Sequence, residues 1–212
     1  MRFSTDRMAL LAIDLQTGFC HPGGSSARRG RDITPMKNAA EKSLALVQHA
    51  RTAGLPVIWT TITFHPQYRD GGLLTGALRP AIAERGGLKR GSEDGALMPG
   101  IEVRPEDYVV DKPRNSAFYA SSLEAILRSA RIESLLVCGV TTAMCVESTV
   151  RDAFQRDYAP FVVSDCTAEF VPARHEAALS AMAYGFANVL TFDEAVANLQ
   201  SREFVFHPGT PN

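Results

Sequence analysis

The chain predicts an α/β fold, a three-layer α/β/α sandwich around a doubly wound, six-stranded, mostly parallel sheet. Three observations carry this expectation. Apolar runs such as Met8–Ile13 and Leu135–Gly139 show no polar alternation, the mark of strands buried on both faces. These runs alternate along the chain with stretches of helical spacing, as repeated strand–crossover–strand units do. The composition, 45% hydrophobic and 21% charged over 212 residues, is that of an ordinary globular chain.

Taken in order, Met8–Ile13 forms the first strand and closes on Asp14; a loop rich in turn formers follows from Leu15 to Gly24. Thr34 is the expected N-cap of a helix with Pro35 at its first position; Leu44, Val47 and Ala50 recur at helical spacing, and Gly54 ends it. Pro56–Thr61 is the second strand. Residues 64–104 carry many turn formers and basic residues, with one short helix around Leu78–Arg85, and a connection of that length reads as a lid or substrate loop. Tyr108–Asp111 is the third strand and runs into Lys112-Pro113. A helix at Ser121–Ser129, the strand Leu135–Gly139, and a helix from about Ala143 to Arg156 follow. The fifth strand, Phe161–Ser164, runs into Asp165-Cys166. Ala173–Tyr184 is a helix stopped at Gly185, and Asn188–Thr191 is the sixth strand. Asp193 caps a last helix to about Gln200, and the tail after Phe206 is expected to be loose. No linker interrupts this succession, so residues 1–212 are expected to form one domain.

A net charge of −1 gives no basic surface for nucleic acid or an anionic membrane, and no apolar run approaches the roughly 20 residues of a membrane span. The start of the chain has no apolar segment with a small-residue cleavage site, so no signal peptide is expected. Cys20, Cys138, Cys145 and Cys166 form no CxxC and no Cys/His metal spacing, and the five histidines form no ligand pair. A reduced, cytoplasmic protein without metal or other cofactor, acting on a small molecule, is the simplest expectation.

In doubly wound sheets ligands lie beyond the carboxyl ends of the strands. Asp14, Lys112 and Cys145 each stand just past such an end. Cys145 falls where a strand turns into a helix. Unpaired N–H groups and the helix dipole there favour the thiolate and are expected to lower the thiol pKa. Cys145 would attack a carbonyl or carbamoyl carbon, Asp14 would carry the proton, Lys112 would steady the thiolate, and the Thr141 and Cys145 N–H groups would hold the oxyanion. Each residue also has a plainer reading: packing for Cys145, a cap for Asp14, a solvated cation for Lys112. Cys20, Cys138 and Cys166 read as packing, Cys20 with the option of facing the pocket, and Glu147 with Arg151 as an i, i+4 ion pair.

Ile13-Asp14-Leu15-Gln16-Thr17-Gly18-Phe19, then Asp111-Lys112-Pro113, then Gly139-Val140-Thr141-Thr142-Ala143-Met144-Cys145-Val146 resemble, in order, the three signatures of the isochorismatase-like cysteine hydrolases. The resemblance spans about residues 8–197, and Cys145–Asp152 looks most like the ureidoacrylate and biuret amidohydrolase branches. It implies an Asp14–Lys112–Cys145 triad, a cis peptide between Val140 and Thr141, and a homo-oligomer. It also implies Phe19 as a pocket wall, with Gln16 and Thr142 at the substrate. Isochorismatases that cleave a vinyl ether lack the cysteine, so Cys145 favours an amidase; ether hydrolysis, or a non-catalytic thiol protein on the same fold, is the alternative. Nicotinamidases carry an Asp-x-His metal site after the second strand, where this chain reads Thr61-Ile62-Thr63-Phe64-His65. The resemblance therefore implies metal-independent cleavage of a small linear amide, ureido or carbamoyl compound. A basic residue of the 64–104 loop, Arg79, Lys89 or Arg90, is a candidate partner for a substrate carboxylate.

Overall fold

The computed structural model describes residues 1–208. Six strands form one parallel sheet: β2 (Met8–Ile13), β3 (Val57–Ile62), β4 (Tyr108–Lys112), β5 (Ser134–Val140), β6 (Ala159–Ala168) and β7 (Asn188–Leu190). Their order is β4-β3-β2-β5-β6-β7, so the chain winds outward from β2 in one direction and then returns to its other side at β5. The reversal lies between β2 and β5, the place where such sheets open a crevice. The parallel, doubly wound sheet is as the apolar runs require. All residues of β2 and β5 are buried, and successive β2 residues feed opposite cores: Met8, Leu10 and Ala12 one face, Ala9, Leu11 and Ile13 the other.

Two short helices, α1 (Thr17–Cys20) and α2 (Ser25–Arg28), lie in the loop after β2, and longer helices cover both faces. α3 (Thr34–Thr52) and α8 (Phe192–Ser201) pack against one core, while α5 (Leu123–Ser129), α6 (Glu147–Phe154) and α7 (Pro172–Gly185) pack against the other. Burial at about 1.5–3 kcal/mol for each large apolar side chain holds these layers together. Among the described residues no helix is long and apolar enough to cross a membrane.

Several local expectations change. Two three-residue strands, β1 (Arg2–Ser4) and β8 (Glu203–Val205), pair antiparallel into a small second sheet. They are too short for a period-2 pattern to show. The Met1 ammonium donates to Phe206 O at 2.9 Å, and the start of the expected loose tail is fastened where His207 N donates to Asn188 Oδ1 at 2.6 Å. Residues from 209 onward lie outside the described part. Thr34 is the first residue of α3 rather than its N-cap, which is Ile33; Asp32 Oδ1, one residue earlier, accepts from Thr34 N at 2.9 Å. Thr191, not Asp193, caps α8, and Glu194 returns a bond to the Thr191 N–H to complete a capping box. The stretch expected as one helix from Ala143 divides into a π-helical turn, Thr142–Val146, and α6.

The 64–104 segment is fastened at several points. Its short pieces are a π-helical turn at Leu74–Leu78 and α4 (Ala81–Glu84). Phe64 N donates to Leu88 O and Arg90 N to Phe64 O, while Thr17 N donates to Ala96 O and Met98 N to Leu15 O. Asp94, buried, accepts from Ser25 N at 2.6 Å and Leu88 N at 2.8 Å, so one carboxylate ties this segment to the loop after β2.

Candidate active site

The register brings three distant residues to one point. Ile13 lies opposite Thr60 of β3 and Gly139 of β5, so the residues that follow these strands emerge together. Gly139 makes the approach possible: its φ is +115°, and a Cβ there would stand 2.0 Å from Ile13 O. Asp14 itself turns at φ 51°, a region Asp tolerates better than most residues.

Lys112 ends β4, and its Nζ donates to Asp14 Oδ2 at 2.7 Å and to Arg114 O at 3.1 Å. Both side chains of the Lys112–Asp14 pair are fully buried. Thr60 Oγ1 donates to the other carboxylate oxygen at 2.7 Å. The carboxylate is thus held from both sides, which a buried ion pair needs if attraction is to offset desolvation. Thr60 was not singled out in the sequence; a hydroxyl near the carboxyl end of an otherwise apolar strand was the available sign.

Cys145 sits against this pair, inside the π-helical turn. The thiol pKa is pushed up, chiefly by burial and next by the Asp14 carboxylate, with Lys112 opposing. This overturns the expectation of a lowered thiol pKa. The cysteine lies in an irregular turn ahead of α6, enclosed beside a negative charge, so burial outweighs the dipole. The resting group is a thiol with a base beside it. Burial alone would lower the Lys112 pKa; Asp14 and then Cys145 more than offset this and hold it up. The Val140–Thr141 peptide is cis. Met144 N and Val146 N both donate to Thr141 O, which closes the turn around Cys145.

A cavity of about 400 Å³ opens on Cys145. Thr141, Phe19, Phe64 and Leu88 line it, and Cys145 is the one cysteine among its lining residues; Cys20, Cys138 and Cys166 lie in the core. Phe19 is therefore a pocket wall as expected. Gln16 is not among the lining residues. Its Oε1 accepts from Ile62 N at 2.9 Å and its Nε2 donates to Ile62 O and Gly95 O, so it is spent on holding the backbone around the site. Thr142 is also absent from the lining: fully buried, its Oγ1 lies 2.8 Å from His175 Nδ1 of α7. Neither residue lines the cavity; Gln16 supports the site, and Thr142 is joined to α7 beside it.

Of the three basic candidates only Arg79 reaches the cavity. Lys89 lies over the Tyr68 ring at 5.8 Å, and Arg90 pairs with Asp111 and Asp70. The cavity instead gathers Arg29 and Arg31, from the loop before α3, and Arg174, from the start of α7. The Glu147–Arg151 pair forms at 2.7 Å as expected. Among the described residues no cluster of three or more His, Cys, Asp or Glu could hold a metal ion.

The isochorismatase domain model matches residues 8–194. The chain belongs to the isochorismatase family. Within the isochorismatase family it is 32% identical to the ureidoacrylate amidohydrolase RutB of Methylorubrum extorquens, over 94% of this chain and 87% of that protein. It superposes on a cysteine hydrolase from Pseudomonas syringae pv. phaseolicola with a TM-score of 0.84 at 26% identity, covering 94% of this chain and 95% of the other. An N-carbamoylsarcosine amidase from Thermoplasma acidophilum gives 0.71 at 25% identity, over 89% and 98% of the two chains.

Proposed function

We propose that the chain is a cysteine amidohydrolase that cleaves a C–N bond of a small linear amide, ureido or carbamoyl compound. The observation that carries this reading is that Cys145, exposed to the cavity, lies against the fully buried Asp14–Lys112 pair. The names of a ureidoacrylate amidohydrolase and an N-carbamoylsarcosine amidase among its relatives support the same bond type.

The steps follow from the charges. The raised thiol pKa keeps the proton on Cys145 until a substrate arrives. The sulfur then attacks the carbonyl carbon as Asp14 accepts the thiol proton, and Lys112 balances the negative charge that builds. The Thr141 and Cys145 N–H groups take the oxyanion. Collapse breaks the C–N bond, and Asp14 returns the proton to the leaving nitrogen. Water, deprotonated by Asp14, attacks the thioester-like intermediate and frees the thiol. Each step uses a group of this chain.

An ammonia-release screen over biuret, ureidoacrylate, N-carbamoyl amino acids, maleamate and nicotinamide tests the reading, with isochorismate as an ether control. The expected result is turnover of at least one C–N substrate, lost by on the order of 10⁴-fold or more in Cys145→Ala. Iodoacetamide should label Cys145 ahead of the other three thiols. Undiminished ammonia release by Cys145→Ala overturns the reading.

A further inference from the structure

The charged part of the cavity wall outside Cys145 is mainly cationic. Arg29, Arg31, Arg79 and Arg174 all line it, and Glu169 is the one carboxylate among the lining residues. Elsewhere arginine usually finds an acid: Arg2 with Glu203, Arg51 with Asp107, Arg128 with Glu124. Among the described residues Arg29, Arg31 and Arg79 have no carboxylate within ion-pair distance, and Arg174 reaches Glu169 only at 3.9 Å. The Arg29 Nε is buried without a hydrogen-bond partner. Arg31 lies over the Phe170 ring at 4.7 Å, and the Arg79 guanidinium donates to the Met144 sulfur at 3.9 Å. Burial first, then the neighbouring arginines, lower the Arg31 pKa, with Glu169 opposing.

Arginine does not lose its charge in proteins, so the wall keeps a positive excess. A concave surface of one sign draws anions, and the guanidinium fork matches a carboxylate. One acidic group would leave two of the excess charges unmatched. The rest of the lining, Phe19, Phe64, Ile82, Leu88 and Phe170, suits an apolar body. We propose that this wall selects a substrate with two carboxylates on an apolar body, an acid amide of charge −2. The amide in that statement rests on the amidohydrolase reading; the two charges do not.

The test measures binding to the Cys145→Ala protein by calorimetry, with phthalate, benzoate and benzamide. These share a ring and carry two, one and no negative charges at a pH above their carboxyl pKa values. The expected order is phthalate, benzoate, benzamide, with about tenfold between successive members, as charge-assisted bonds to arginine suggest. Phthalate should also slow iodoacetamide labelling of Cys145 in the wild-type protein, which places it in this cavity. Arg79→Met should bring phthalate close to benzoate. Equal affinity for benzoate and phthalate, phthalate binding that leaves Cys145 labelling unchanged, or no phthalate binding overturns the proposal. Ammonia release by Cys145→Ala would sink the amidohydrolase reading while leaving the charge order untouched. A failed charge order leaves the dependence on Cys145 untouched.

Discussion

The two sides of the cavity are made of opposite materials. Behind Cys145 on one side, Asp14 and Lys112 are fully buried, matched in charge, and fixed by the register of three parallel strands. On the other, Arg29, Arg31, Arg79 and Arg174 come from loops and the start of α7, are half-buried or exposed, and outnumber their carboxylates. A reacting group needs a fixed position and a neighbour of known charge, which the sheet supplies. A selecting group needs a charge left free for the ligand, which costs little only where water reaches it. On the function proposed above, the difference teaches that this fold keeps its chemistry at the strand ends and its substrate choice in the loops.

The sharpest way to break that division is to cut the buried pair. Lys112→Ala leaves the Asp14 carboxylate buried without its cation, and removing one partner of such a pair costs about 3–5 kcal/mol. The expected outcome is a large fall in the urea midpoint together with loss of turnover. Arg79→Met should leave the urea midpoint near wild type, since Arg79 makes no ion pair among the described residues. Equal destabilisation by the two changes would erase the distinction.

The sheet side was legible in the sequence and the loop side was not. Asp14, Lys112 and Cys145 stand out because each interrupts or follows an apolar run, and a parallel sheet must gather such ends on one edge. What could not be read was the burial of Lys112. Beside Pro113 it looks solvated, and only Asp14, 98 residues away, explains why it is not. The thiol pKa is not lowered as expected because burial of Cys145, followed by the Asp14 charge, outweighs the helix start, and neither is visible in the local sequence. Gln16 and Thr142 lie within matched motifs, yet their bonds to Ile62, Gly95 and His175 are tertiary and leave no periodic trace. Arg29, Arg31 and Arg79 stand outside the regular helices and strands, and Arg174 on an exposed first turn of α7, where a basic residue ordinarily means solvent.

Alkaline pH should separate the two sides again, because the thiols titrate and the arginines do not. Burial raises the pKa of Cys20 and Cys138 from 9.0 to about 12, and Cys145 and Cys166 shift upward too. In the unfolded chain these thiols ionise near 9.0, so above that pH the unfolded state binds fewer protons than the folded one and stability falls. The stabilising contribution is complete below pH 9 and is lost as pH rises toward the folded values. Each thiol contributes a slope of about 1.4 kcal/mol per pH unit in that window. Urea midpoints measured from pH 8 to 11 should therefore drop steeply, and Cys138→Ala should flatten the slope by one thiol. A flat profile to pH 11 would show that the thiols are not held protonated by the fold.

The smallest expected effect comes from loosening only the loop side. Asp94 joins the loop after β2 to the 64–104 segment through Ser25 N and Leu88 N, and Arg28 approaches the same oxygen that Ser25 uses, at 3.4 Å. Asp94→Asn keeps the shape and one acceptor but turns the other position into a donor facing a backbone N–H. An unmet buried donor costs roughly 1–3 kcal/mol, so the midpoint should fall modestly. The kinetic effect should be confined to binding. KM is expected to rise several-fold as the Arg29 and Arg79 segments lose their common tie, while kcat stays close to wild type because Asp14, Lys112 and Cys145 hang from the strands. A fall in kcat with KM unchanged would mean that the loops also hold the reacting groups, and the division between the two sides would have to be redrawn.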